Sequence, residues 1–149
     1  MSRSNLPTNE SSFFQLLKNE TLSSIFWERL ELKSDSGFPD SHFVLRKVPT
    51  YPCEGTIEFK FQRDNEKYPD LRKLMRGEQK ANFLDYFAAG GRRRWLLSCN
   101  KQGVVHLYTA RVVCEILKNQ RKDDMPFSSA DFFDPSLPVR TWLPMMLEM

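Results

Sequence analysis

Nowhere in its 149 residues does this chain carry an apolar run approaching the roughly 20 residues that cross a bilayer. A membrane-spanning helix is therefore not expected. The amino terminus, MSRSNLPTNESS, lacks the apolar stretch of a secretory signal, so an intracellular, cytoplasmic protein is expected. Cysteine is scarce: Cys53, Cys99 and Cys114 are odd in number and form no CxxC, which argues against a disulfide framework and a structural zinc site. Histidine is scarcer still, with His42 and His106 alone, both on expected strands and both read as sheet-surface residues. No GxSxG, Walker A, GxGxxG or HExxH pattern is present. The expectation is a protein without conventional catalysis, cofactor or metal.

What is present is a foldable composition, 40% hydrophobic and 13% aromatic, in about one domain's length. The net charge of +3 hides a segregation. Residues 44–122 hold 17 basic and 8 acidic side chains, a net +9, while the flanks are acidic. Charge that serves only solubility need not segregate, so one surface facing a polyanion is expected.

Three regions follow from the pattern: a polar leader over 1–10, one α+β domain over 11–122, and a proline-rich apolar tail over 123–149 that docks on its own domain or on a partner. Spacing predicts helices over 11–18 and 21–30, the second carrying Trp27. Strands are expected over 42–48 and 56–63, where Ile57, Phe59 and Phe61 alternate with polar residues. Two helices follow over 70–75 and 81–89, then a hairpin of 92–99 with 104–109, and an amphipathic helix over 110–120. The sum is an α+β fold with a mainly antiparallel four-stranded sheet, helices on one face and the other face open to a ligand.

Gly90-Gly91-Arg92-Arg93-Arg94-Trp95 is the most suggestive stretch. At a strand's start Arg92 and Arg94 share a face, Ser98 joins them, and guanidinium groups bind phosphate oxygens bidentately. Lys60 with Arg46 or Lys47 extends that basic face across neighbouring strands. Trp27, beside Phe26, is a candidate for stacking on the end of a duplex, with burial in the core as the plainer alternative.

The order and spacing of residues 24–122 resemble the tombusvirus nineteen-kilodalton RNA-silencing suppressors and their aureusvirus relatives. The resemblance lies in SSIFWERLELKSD, GTIEFKFQRD, YPDLRKLMRGEQKANFLDYFAAGG, RRRWLLSCNKQGVVHLYT and RVVCEILKNQRK. It implies a homodimer with one continuous concave sheet that cradles short double-stranded RNA without reading its sequence. Lys60, Arg63, Arg92, Arg94 and Ser98 would then touch the sugar-phosphate backbone, and Trp27 would cap a duplex end. The family places two tryptophans on that helix and this chain one, so longer duplexes are expected to bind as well. Two other readings stand beside it: an adaptor that docks a protein partner through Phe127, Phe132, Phe133, Trp142 and Met145, and a single-strand binder that stacks bases on Tyr108, His106 and Trp27.

Overall fold

Asn9 starts the first helix. A computed structural model describes residues 6–30, 39–46 and 54–149, and in it Asn9 Oδ1 accepts from the Ser12 amide at 2.8 Å while Ser12 Oγ accepts from the Asn9 amide at 3.1 Å. This reciprocal cap satisfies two amides that α1 (Glu10–Glu20) would otherwise leave without partners. Thr21 ends that helix, its hydroxyl donating to Leu17 O at 2.7 Å. The chain then turns into β1 (Ile25–Arg29) and β2 (Ser41–Leu45).

The helix expected over 21–30 is therefore a turn and a strand. Leu22, Ile25, Phe26 and Leu30 fit helical spacing, but Ile25 and Trp27 also alternate with Phe26 and Glu28. β-Branched and aromatic residues favour the pleated, half-buried alternative. Ile25 and Trp27 face inward while Phe26 and Glu28 stay exposed.

β3 (Glu54–Phe61) leads through α2 (Leu71–Leu74) and α3 (Gly77–Ala88) to β4 (Arg94–Cys99). β5 (Val104–Thr109), α4 (Ala110–Leu117), β6 (Ser128–Asp131) and α5 (Val139–Leu147) complete the order. The six strands form one sheet in the order β1-β2-β3-β4-β5-β6. β3 and β4 run parallel, and the other neighbours are antiparallel. The four-stranded, mainly antiparallel sheet of the sequence reading is thus corrected to a six-stranded mixed one, within the same α+β class. The reason is local: a pair of helices between β3 and β4 is the crossover that parallel strands require.

The sheet is also not open on one face. One side packs against α1 and α5, with Phe13, Phe14 and Leu17 meeting Trp27, Phe43, Phe59 and Trp95, and with Trp142 and Leu143 from α5. The opposite side carries a smaller core in which Leu71, Met75, Phe83, Val113 and Ile116 enclose Leu96 and Tyr108. The polar alternates of β3 are buried there. Glu58 accepts from Gln79 Nε2 at 2.8 Å, and Gln62 Nε2 donates to Asp64 Oδ1 and Glu66 O, both at 2.7 Å.

The apolar tail belongs to the same fold. β6 extends the sheet beside β5, and Trp142 is fully buried, its Nε1 donating to Ser128 Oγ at 3.0 Å. Arg93 closes the end of α5: its guanidinium donates to Leu147 O at 2.9 Å and Met149 O at 3.2 Å. A cation on terminal carbonyls satisfies acceptors the helix leaves open and complements its dipole.

Gly55 marks the closest approach in the sheet. A β-carbon there would lie 2.6 Å from Arg93 O and 2.7 Å from the Trp95 ring. Gly55→Ala is expected to cost about 1–3 kcal/mol through overpacking. The cost would appear as a lower urea midpoint at unchanged slope, and a wild-type midpoint would contradict the close approach.

Candidate functional site

The residues expected to form one basic face are dispersed. Lys60 lies on β3, 6% exposed, with Nζ 3.9 Å from Glu10 Oε1. Arg94 is 7% exposed beneath α3, where its Nε donates to Thr56 Oγ1 at 3.1 Å and its Nη1 donates to Asn82 Oδ1. Its guanidinium lies 3.9 Å from the centre of the Tyr86 ring, and burial holds its pKa below the usual arginine value. Ser98 is fully buried, and its hydroxyl has no hydrogen-bond partner among the described residues. These three share the sheet face that was expected to be open, under the helices that cover it.

Arg92 precedes the strand, so it does not share a strand face with Arg94. It is exposed, donates to Gly91 O at 2.8 Å and lies 4.2 Å from the centre of the Phe87 ring. Arg46, also exposed, donates to Leu22 O at 3.0 Å just after β2. Lys47 and Cys53 lie outside the described residues. Trp27, expected on a helix and available to a duplex end, sits on β1 at 7% exposure, with its Nε1 donating to Thr21 Oγ1 at 2.8 Å. Its ring packs among Phe14, Phe43 and Phe59, which leaves no face for a base.

Arg63 is placed differently. It follows β3, exposed, at the end of the sheet where the parallel pair β3 and β4 finishes. A βαβ unit directs the loops after both parallel strands to one end, and crevices form there. Three clefts occupy it. One of about 430 Å³ lies between Phe61, Arg63 and Lys101 and the segment Leu6, Pro7 and Thr8. A second, of about 620 Å³, shares Phe61 and Arg63 and reaches Asn9 and Glu10 at the start of α1. The third, of about 490 Å³, opens between loop 65–68 and the 100–103 turn, with His106 and Ser129 in its wall.

No protein-family model, curated protein or solved structure matches this chain. The site is therefore read from its own chemistry. Exposed Arg63, Lys67, Lys73 and Lys101 gather at this end around Asp64 and Glu66, with Lys73 and Lys101 both acting on the Asp64 charge. Arg46 and Arg92 stand at the far end of the strands, eight residues of β3 away. Among the described residues no three His, Cys, Asp or Glu side chains converge as metal ligands, and no helix is long and apolar enough to cross a membrane.

Sequence reading missed His106 as an interior residue. It is 3% exposed, with Nδ1 2.6 Å from Ser129 Oγ, and Tyr68 lies edge-on at 5.3 Å. Burial depresses its pKa, so the ring is neutral at neutral pH. The alternation of VVHLYT did place His106 and Tyr108 on one face. The strand supplying Ser129 reads SSAD, which has no apolar alternation to announce it.

Proposed function

We propose that the protein binds nucleic acid through its phosphate backbone, with double-stranded RNA as the ligand, at the end of the sheet where β3 and β4 finish. The observation that carries this reading is the cleft between Arg63 and Lys101, with Lys67 and Lys73 close by at the same end. Arg63 and Lys67 follow β3 and Lys101 follows β4, so the parallel pair sets their spacing, while Lys73 stands on α2. Contacts of this kind fix a backbone without reading sequence. The asymmetry of the chain, +9 over residues 44–122, supports the same class of ligand.

The test is a mobility-shift titration with an RNA duplex of about 20 base pairs at several salt concentrations, beside its single strands and the matching DNA duplex. Arg63→Ala with Lys101→Ala is expected to weaken duplex binding at least tenfold. It should also lower the slope of log affinity against log salt by about two. Arg92→Ala, at the opposite end, is expected to leave both unchanged. A folded double mutant with wild-type affinity and slope would remove this end of the sheet from the reading. Tighter binding of the single strand would replace the duplex as ligand.

A further inference from the structure

The third cleft holds a constellation that backbone binding does not use. Across the sheet Lys60, Ser98, His106 and Ser129 lie in register on β3, β4, β5 and β6. The last two meet in the wall of the 490 Å³ cavity. Ser129 stands on the edge strand and is exposed, while its partner imidazole is buried. Nδ1 lies 2.6 Å from the hydroxyl, and with the ring proton on Nε2, which has no hydrogen-bond partner among the described residues, the hydroxyl is the donor. Tyr68 packs edge-on against the ring, and Ser129 and Tyr68 bracket it within the same cavity. A hydroxyl within hydrogen-bond distance of a neutral imidazole is the arrangement that activates serine.

A further polar group lines the cavity. Asn100 lines the same cavity, and its Oδ1 accepts from the Gln102 and Val104 amides, both at 3.0 Å. Two backbone donors on one oxygen fix the carboxamide plane and turn its NH2 group the other way. A donor held in place before reaction is what a developing oxyanion requires. The volume suits a small organic molecule.

We infer that Ser129 and His106 form a nucleophile–base pair for the hydrolysis of small carboxylic esters in this cavity, with Asn100 Nδ2 as the oxyanion donor. Ser129 Oγ attacks the carbonyl carbon and passes its proton to His106 Nδ1. The C–O bond to the alcohol then breaks, and the leaving alkoxide takes that proton. Water, deprotonated by the same nitrogen, attacks the acyl-serine, and Ser129 recovers the proton as the acid departs.

A fluorophosphonate tests this in the free protein, with no nucleic acid present, so its outcome is separate from that of the backbone reading. Attack by Ser129 forms a P–O bond and expels fluoride, leaving an adduct that intact-mass spectrometry and peptide mapping read directly. One adduct on Ser129 is expected, absent in Ser129→Ala and slowed at least 100-fold in His106→Asn. The labelling rate should rise with pH through an apparent pKa below 6.5, because the buried imidazole must be neutral to act. Should His106→Asn fail to fold, the wild-type pH profile carries the same information. No adduct, an adduct that persists in folded Ser129→Ala, or a flat profile would overturn the assignment.

Discussion

Trp27→Ala is expected to destabilise the protein by about 3–5 kcal/mol, the range for removing a large aromatic from a core. The indole is 7% exposed and is the hub of an aromatic cluster. Its ring centre lies 5.6 Å from that of Phe59, 6.0 Å from Phe43, and 6.0 Å from Phe14 in a T-shaped arrangement. Each such pair contributes about 0.5–1.5 kcal/mol beyond area burial. The Nε1 bond to Thr21 adds a second role, because Thr21 also closes α1 on Leu17 O. One side chain thus joins the end of the first helix to the edge of the sheet. Trp27→Phe separates the two contributions: it keeps an aromatic in the cluster and deletes the polar bond, at an expected cost of about 1–2 kcal/mol. Urea unfolding of both variants measures this. A wild-type midpoint for Trp27→Ala would mean that the ring is not in the core, and duplex-end stacking would again be a tenable role for it.

The same residue shows where the sequence was ambiguous. SSIFWERL satisfies helical spacing and strand alternation together, and a short apolar run does not decide between them. What decides is Phe43 and Phe59, which come from strands distant in the chain. β3 was legible because polar and apolar residues alternate from Thr56 to Gln62, and the following hairpin and α4 were legible from a turn with Gly103 and a strong apolar stripe. The candidate site was far less so. Lys60, Arg94 and Ser98 do share one face, without Arg92, yet polar residues on a strand do not reveal whether water or a helix covers them. Gln79 and Asn82, which receive Glu58 and Arg94, lie on α3, and nothing in β3 or β4 signals that docking. Arg63 kept its exposure because it lies beyond the strand, where no helix packs over it.

Glu58→Gln is expected to stabilise the protein at pH 8 by a few kcal/mol. Glu58 is 1% exposed, its Oε1 accepts from Gln79, and the Asp40 carboxylate faces it. Burial, then the hydrogen bond and like charge of Asp40, push its pKa from the ordinary value up to about 10, and nearby Lys60 offsets only part of that. As an ion its Oε2 has no donor among the described residues; as an acid it donates to Asp40, whose Oδ2 also takes the Phe59 amide at 2.9 Å. The folded state therefore holds a proton that the unfolded chain releases above about pH 4.5. Stability attributable to this group is full below that pH and declines as pH rises towards 10, at up to about 1.4 kcal/mol per unit. Glutamine keeps the acceptor for Gln79 and supplies a permanent donor to Asp40, with no charge to desolvate. The variant's advantage should vanish near pH 4 and grow as pH increases, read as the difference between urea midpoints at pH 4, 6 and 8. A pH-independent difference, or a loss of stability at pH 8, would show that Glu58 is ionised in the folded protein. Lys60 would then be its counterion, and the polar layer beneath α3 would be an ion pair instead of a shared proton.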